Sequence, residues 1–174
     1  SLVKANRAIN DQAAANPGWM GMGSTISFIW AEAGGALLGQ VGDSRIYHLR
    51  DKRLKELTPG HSPVGRLRQS GQIMEIDARE HPNRHLIDQC LGGGDPGLVP
   101  GCLPLDLQLG DILLFCSDGL TDGVCDAEIG SMMGEVADRL RQPEDTARLL
   151  IKSANRLSGR DNVTVIVGRV TAAS

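Results

Sequence analysis

The stretch of sequence that decides the fold is Asp111-Ile112-Leu113-Leu114-Phe115-Cys116-Ser117-Asp118-Gly119-Leu120-Thr121-Asp122-Gly123. Its apolar run is too short to span a membrane and lies between two turn pairs, Gly110-Asp111 and Asp118-Gly119, so it predicts a buried β-strand. Such a strand delivers the carboxylate of Asp118 to the edge of a sheet. Gly119 follows at once, as expected where the backbone turns sharply or approaches another segment closely.

Two other aspartates stand at the ends of predicted strands. Asp43 interrupts an extended run at a Gly-Asp-Ser bend, and Asp161 comes directly before the strand pattern of residues 163–167. Because the end of one antiparallel strand lies beside the start of its neighbour, we expect Asp118 and Asp161 to share one edge of a sheet. Taken singly, Asp43 is more typical of a turn residue, and Asp161 of a residue that caps a loop.

Carboxylates gathered at one edge repel each other. Two unit charges about 4 Å apart repel by roughly 4 kcal/mol at an effective dielectric constant of about 20. A divalent cation would remove this repulsion, and a ligand set made only of oxygen atoms suits Mg2+ or Mn2+ better than zinc. The sequence therefore favours a hard divalent cation beside Asp118 and Asp161.

Composition is ordinary for a globular protein. Of its residues, 41% are hydrophobic and 22% are charged. A length of 174 residues is typical of a single domain and is enough to bury a sizeable core. The net charge of -3 argues against a general binder of nucleic acid or anionic membranes. No apolar run approaches the roughly 20 residues of a membrane span, and no signal-peptide pattern opens the chain, so a cytoplasmic protein is expected.

The cysteines and histidines do not form a recognisable metal-binding or catalytic motif. The four cysteines contain no Cys-x-x-Cys pair and lie in or beside apolar segments, so we predict reduced structural thiols rather than a zinc site or disulfides. His61 and His85 have no local partner with a nucleophile signature, which gives a catalytic triad little support.

Local patterns predict the remaining elements. Helices are expected at 2–15, 64–69, 77–80, 126–135 and 143–157. One meander of four strands is expected at 24–33, 36–41, 46–50 and 53–57, with a hairpin turn at Gly34-Gly35. Further strands are expected at 84–90 and 99–103. The glycine run over 92–97 predicts a loop and not a phosphate cradle, because no helix pattern follows it.

Several short motifs occur together in one order. They are Gly21-Met22-Gly23-Ser24-Thr25, Val41-Gly42-Asp43-Ser44-Arg45, Leu57-Thr58 with His61-Ser62, Leu91-Gly92, Ser117-Asp118-Gly119-Leu120 and Asp161-Asn162-Val163-Thr164. In this order they resemble the bacterial PP2C-type (PPM family) serine/threonine phosphatases over nearly the whole chain. The resemblance implies a single PP2C-like domain over 1–174 with an α+β fold, in which two antiparallel β-sheets pack as a sandwich flanked by helices in four αββα layers.

The resemblance also implies a chemistry. Members hydrolyse phosphoserine and phosphothreonine in proteins with a metal-activated water at a centre of two Mn2+ or Mg2+ ions. By motif matching, Asp118 and Asp161 are the catalytic metal ligands. Asp43 corresponds to the ligand of a third, weaker metal that shares Asp118. Residues 58–82 correspond to the flap of the family domain, which influences substrate access, although an ordinary connecting helical hairpin fits this segment equally well. Ser62 lies close to the flap, and no residues for another cofactor are implied.

Two segments of the family are not found in this sequence. Members begin with a strand containing Arg and Asn-Glu-Asp, followed by an Asp-Gly-Met-Gly-Gly-like segment that supplies a bridging aspartate, so we expect an N-terminally shortened domain. The alternative function is a catalytically impaired phosphatase-like binding or regulatory module. Expected partners are phosphorylated protein substrates and a cognate serine/threonine kinase, without nucleic acid or membrane. A monomer is expected, with a dimer through exposed sheet edges as the alternative.

Overall fold

The structure, a computed structural model of the chain, describes residues 1–32, 35–58 and 60–171. The helices are α1 (Leu2–Ala15), α2 (Pro63–Gln69), α3 (Glu75–Glu80), α4 (Asp118–Thr121), α5 (Asp126–Ala137) and α6 (Pro143–Leu157), with a 3-10 helix at Pro17–Trp19. The strands are β1 (Gly23–Ser24), β2 (Ile26–Glu32), β3 (Gly35–Val41), β4 (Arg45–Arg50), β5 (Arg53–Glu56), β6 (Leu91–Gly92), β7 (Gly101–Leu105), β8 (Ile112–Cys116) and β9 (Val165–Arg169). The predicted turn residue Gly34 lies outside the described residues.

Within the described part of the chain the strands form three sheets. β1 pairs with β6, a second sheet has the order β2-β3-β7, and a third has the order β5-β4-β8-β9 with antiparallel neighbours. The α+β class with antiparallel sheets, predicted from the sequence, is thereby confirmed. No helix in the described ranges is long and apolar enough to cross a membrane.

The four-strand meander predicted for the first third of the chain is wrong in one respect. β2 and β3 belong to one sheet, whereas β4 and β5 belong to another. The chain changes sheets at the bend over residues 42–44, where Gly42 has a φ of +108° and a Cβ would lie 2.4 Å from the Thr25 side chain. Glycine alone relieves both constraints, so this bend redirects the chain instead of continuing the meander.

The chain divides into two compact units, and the prediction of a single domain stays a prediction. One unit contains Ser1–Trp30, Leu37–Ser44 and Pro59–Pro104, and the other contains Ala31–Ala36, Arg45–Thr58 and Leu105–Ser174. The core of the second unit is formed by strand residues and by helix residues that cover them. These are Tyr47, Leu49, Ile112, Leu114, Cys116, Leu120, Val124, Ile129, Met133, Val136, Leu150 and Ala154.

β8 is the strand predicted from the opening stretch, and it lies between β4 and β9. Ile112 and Leu114 are fully buried, and each such side chain stabilises the fold by about 1.5–3 kcal/mol. Cys116 is also buried, and all four cysteines are free, as predicted. Burial raises the pKa of the Cys116 thiol to about 12, so it remains protonated near neutral pH.

The start of β8 carries a buried charge cluster that the sequence did not indicate. Asp111, only 2% exposed, accepts hydrogen bonds from Arg50 Nε at 2.8 Å and Nη2 at 2.6 Å, and from the Gln108 N–H at 2.9 Å. His48 Nε2 lies 3.0 Å from its Oδ2. Burial alone would raise the pKa of Asp111, but these donors, Arg50 foremost, lower it to about 2.

In the first unit, α1 holds the glycine run of residues 92–97. The buried side chain of Asn6 accepts from the Gly92 N–H at 2.7 Å and donates to the Asp95 carbonyl at 2.8 Å. Asn10 does the same for Gly94, at 3.0 Å, and for Asp95, at 3.1 Å. The loop prediction is confirmed for residues 93–97, whereas Gly92 belongs to β6, and the N–H groups of Gly92 and Gly94 bind protein oxygens.

Two predicted strands differ from the structure. Residues 84–90 form no strand: 84 and 85 lie in a turn and 88 in a bend, with the Arg84 N–H bonded to the His81 carbonyl and the Leu86 N–H bonded to the Asn83 carbonyl. Local turn bonds here outweigh the apolar character of Leu86, which is 54% exposed. The strand expected at 99–103 lies two residues later, as β7.

Candidate functional site

The candidate site is built where β8 ends and β9 begins. Cys116 and Val165 are opposite each other in the register of this antiparallel pair. Just beyond it, the Ser117 N–H donates to the Thr164 carbonyl at 3.1 Å and the Thr164 N–H donates to Ser117 Oγ at 3.0 Å. Ser117 Oγ in turn donates to the Asn162 carbonyl at 3.2 Å. The segment that carries Asp118 is thus fixed against the segment that carries Asp161.

Gly119 brings the two segments closer than another residue would allow. A Cβ on Gly119 would lie 2.4 Å from the Asn162 carbonyl oxygen and 3.4 Å from Val163 Cγ2. The first distance is far below van der Waals contact, and the atom met is backbone, which moves only if the loop moves. The sequence predicted a turn or a close approach at this glycine, and the structure shows the close approach.

Both aspartates are oriented by the residue that follows them. Asp118 is half-buried at the start of α4, and its Oδ1 accepts from the Gly119 N–H at 2.9 Å. Asp161 is exposed, and its Oδ1 accepts from the Asn162 N–H at 2.7 Å. Hydrogen bonds of this kind hold a carboxylate in one orientation.

The donor set suits a hard cation. Two carboxylates on adjacent backbone segments are the oxygen ligands that Mg2+ and Mn2+ prefer. Among residues 1–32, 35–58 and 60–171, no group of three or more His, Cys, Asp or Glu residues is arranged to hold a metal ion. The assignment of Asp118 and Asp161 as metal ligands therefore stays a prediction.

Asp43 lies in the first unit, half-buried in the bend after β3. The Gly42 N–H donates to His61 Nδ1 at 3.1 Å, and the His61 N–H donates to the Gly42 carbonyl at 2.9 Å. On the other side, Thr25 Oγ1 and Ser44 Oγ share a hydrogen bond of 2.9 Å. The bend that presents Asp43 is therefore fixed at both neighbours, while the role of Asp43 as a metal ligand stays a prediction.

Three residues of the motifs have roles that the sequence did not reveal. Burial lowers the pKa of His61, which favours the neutral imidazole that accepts from Gly42. Ser62 caps α2, since its Oγ accepts from the Gly65 N–H at 3.0 Å. Ser117 joins the segments of Asp118 and Asp161, whereas the motif Ser117-Asp118-Gly119-Leu120 predicted a role only for Asp118. The signal that could have found Ser117 was its position directly before the aspartate.

A buried polar chain lies beside the end of β8. Arg45 Nη1 donates to the Tyr47 hydroxyl at 3.0 Å, and this hydroxyl donates to Asp126 Oδ1 at 2.9 Å. Burial raises the pKa of Tyr47 although Arg45 opposes the shift, so Tyr47 remains a donor at neutral pH. These two hydrogen bonds join β4 to the first turn of α5.

A polar concavity of about 440 Å³ opens beside Asp161. It is lined by Asn155, Gly159, Arg160, Asp161, Asn162 and Val163. Its walls come from the end of α6 and the loop that leads into β9. Room for a ligand therefore adjoins one of the two predicted metal ligands.

Comparison with known proteins identifies the class of this protein. No family model matches the chain. The serine/threonine protein phosphatase PstP of Mycobacterium tuberculosis is 37% identical over 167 residues, which is 95% of this chain and 31% of PstP. The serine/threonine phosphatase stp of Listeria innocua is 35% identical over 152 residues, which is 84% of this chain and 56% of that protein. The chain thus spans about half the length of the Listeria relative and about a third of PstP.

Solved structures agree with these relatives. The crystal structure of Mycobacterium tuberculosis PstP/Ppp has a TM-score of 0.81 and 36% identity, with 96% of this chain and 68% of that chain covered. Stp1 from Staphylococcus aureus has a TM-score of 0.83 and 29% identity over 98% of this chain and 65% of its own. The catalytic domain of PstP in complex with two manganese ions has a TM-score of 0.81 and 34% identity over 96% of this chain and 67% of its own. The chain belongs to the bacterial PP2C-type (PPM family) serine/threonine phosphatases.

Proposed function

We propose that this chain is part of a metal-dependent protein phosphatase that hydrolyses phosphoserine and phosphothreonine. The observation that carries the proposal is the attachment of the Asp118 segment to the Asp161 segment through Ser117, beside an open concavity. The names of the relatives and the two manganese ions in one PstP structure support it.

In this proposal, Asp118 and Asp161 hold Mn2+ or Mg2+, with their orientation set by the Gly119 and Asn162 N–H groups. When bound, the metal centre of two ions supplies an acidified water for attack on phosphorus and offsets charge on the phosphoryl oxygens. The concavity beside Asp161 admits the phosphorylated side chain. Asp43, fixed in its bend by His61, is assigned to a third ion.

The biological setting is part of the same proposal. We infer phosphorylated proteins as substrates, a cognate serine/threonine kinase as the opposing enzyme, and a monomer in the cytoplasm. The alternative is the catalytically impaired phosphatase-like module, which would bind the same partners without hydrolysing them. Measurements of hydrolysis and of metal binding distinguish the active phosphatase from the impaired module.

The first test is hydrolysis of a phosphothreonine peptide by this chain with and without Mn2+. Asp118→Asn and Asp161→Asn should each abolish the Mn2+-dependent rate. Asp145→Asn, at an exposed position in the first turn of α6, is the matched control and should keep it. A rate that survives both site substitutions would show that these aspartates do not form the centre.

Metal binding is tested separately through stability. Mn2+ at about a hundred times its dissociation constant should raise the free energy of unfolding by roughly 2.7 kcal/mol. Asp118→Asn should lose most of that gain. Stabilisation by Mn2+ without hydrolysis would support the impaired module instead, and an equal gain in Asp118→Asn would refute the metal assignment.

A further inference from the structure

The exposed side of α6 carries a row of positive charge that leads toward the candidate site. Lys152 and Arg156 are four residues apart, so they lie on one face of the helix, and both are exposed. Arg160 follows just after the helix and is also exposed. Arg148, one turn before Lys152, is different because it pairs with Glu144 at 2.8 Å. In the part of the chain that the structure describes, no ion pair involves the other three.

One of these three cations lines the concavity beside Asp161, and the other two lie on the helix that forms one of its walls. Arg160 lines it directly, together with Asn155 of α6. Asn155 is three residues after Lys152, so these two residues are neighbours on the surface of α6, and Lys152 is in turn a neighbour of Arg156, four residues on. The one carboxylate in the lining is Asp161, which the proposed function assigns to a metal ion. A chain of net charge -3 thus places one positive charge at this opening and two more on the adjoining helix.

We propose that Lys152, Arg156 and Arg160 bind acidic residues that flank the phosphorylated side chain of a protein substrate. This inference rests on the proposed phosphatase function, because it takes the concavity as the place where the phosphorylated residue enters. Arg160 at the opening can pair with a carboxylate through two parallel hydrogen bonds.

The spacing of the cations sets the length of the acidic segment. Lys152 and Arg156 are separated by about 6 Å along the helix axis, at 1.5 Å per residue. An extended peptide advances about 3.3 Å per residue, so these two cations match carboxylates about two positions apart. With Arg160 at the opening, the recognised segment is about three residues long.

Exposed ion pairs change an equilibrium constant by about 1.4- to 5-fold each. Replacing Lys152 and Arg156 together should therefore weaken the binding of an acidic peptide by about twofold to 25-fold. The preference for the acidic peptide should also decrease as salt is added, because the Debye length is only about 10 Å at 0.1 M ionic strength and added salt screens exposed charges further.

The test measures binding of two labelled peptides to this chain in Mn2+ by fluorescence anisotropy. Both carry a phosphonate analogue of phosphothreonine, which cannot be hydrolysed. One continues with three aspartates and the other with three asparagines. The proteins compared are the parent chain, the double variant Lys152→Gln/Arg156→Gln, and the control Arg148→Gln, whose cation is already paired.

We expect the parent and Arg148→Gln to bind the aspartate peptide more tightly than the asparagine peptide, and the double variant to lose most of that difference, because only Arg160 remains. Equal affinities in the parent, a preference that is undiminished in the double variant, or binding of neither peptide would overturn the inference. Hydrolysis of phosphothreonine peptides is scored separately. Mn2+-dependent hydrolysis without an acidic preference would remove this inference alone, whereas a preference without hydrolysis would count against the proposed function.

Discussion

Ser117 and Thr164 exchange two hydrogen bonds across the ends of β8 and β9, one from each backbone N–H. The residues are 47 positions apart in sequence. One of the two bonds uses the Ser117 hydroxyl, which also donates to Asn162. The Ser117 side chain therefore reinforces the backbone pairing that holds the Asp118 segment beside the Asp161 segment, and we expect the geometry of a metal held by that pair to depend on it.

Ser117→Ala should weaken Mn2+ binding and lower the free energy of unfolding by about 1 kcal/mol, because the Thr164 N–H and the Asn162 carbonyl lose their side-chain partner. Calorimetric titration with Mn2+ and urea denaturation measure the two effects. Ser117→Thr keeps the hydroxyl and should retain most of the Mn2+ affinity. An alanine variant with the parent affinity would show that the tie does not position the aspartates.

Gly119→Ala should be more damaging than an ordinary glycine replacement. The added Cβ meets the Asn162 carbonyl oxygen at 2.4 Å, so the two segments must separate. We expect a loss of about 2 kcal/mol in the free energy of unfolding, together with weaker Mn2+ binding.

The matched control for that substitution is Gly134→Ala within α5. A Cβ at this position meets nothing within 4 Å, and alanine is favoured over glycine in a helix by about 0.5–1 kcal/mol. This variant should be at least as stable as the parent in urea. Equal destabilisation by the two alanines would contradict the close approach at Gly119.

Asp111 should make the stability of the chain depend on pH in acid. Its pKa is lowered from 3.8 to about 2, so its contribution is fully present above about pH 4 and is lost as the pH falls through about 2. A shift of this size corresponds to about 2 kcal/mol. Asp111→Asn should therefore be less stable than the parent at pH 6, and the gap should close toward pH 2.

Urea denaturation across that pH range measures the gap. Asp106→Asn is the control, because Asp106 is exposed and its contact with Arg50, at 3.3 Å, is worth about 0–1 kcal/mol. A gap for Asp111→Asn that stays constant from pH 6 to pH 2 would rule out the ion cluster as its source.

Asn6→Ala should release the glycine loop. The substitution leaves the Gly92 N–H without its side-chain acceptor at a buried position, which costs about 2 kcal/mol. Asn10→Ala removes the equivalent contacts at a more exposed position and should cost less than about 1 kcal/mol. Hydrogen exchange of the Gly92 and Gly94 amides locates each effect, and equal losses from the two substitutions would argue against the burial difference as its cause.

Local patterns gave the element types well. The run that became β8 and the periodic stretches of α1, α5 and α6 could be predicted because apolar spacing and terminal residues such as Pro143 act within a few residues. The strand expected at 84–90 was wrong because a local pattern alone was used to predict it. Its apolar residues resemble a strand locally, but turn bonds to His81 and Asn83 hold the backbone.

By itself, the sequence determined most of the longer helices and strands, the family motifs, and the positions of Asp118 and Asp161 at the two ends of neighbouring strands. Only the tertiary structure decided how β2 to β5 divide between sheets, that Asn6 holds the glycine loop, and that Ser117 joins the two aspartate segments. The last two contacts join residues 86 and 47 positions apart. Hydrogen bonds over such separations have no local periodicity or composition, so they exist only once the chain has folded around them.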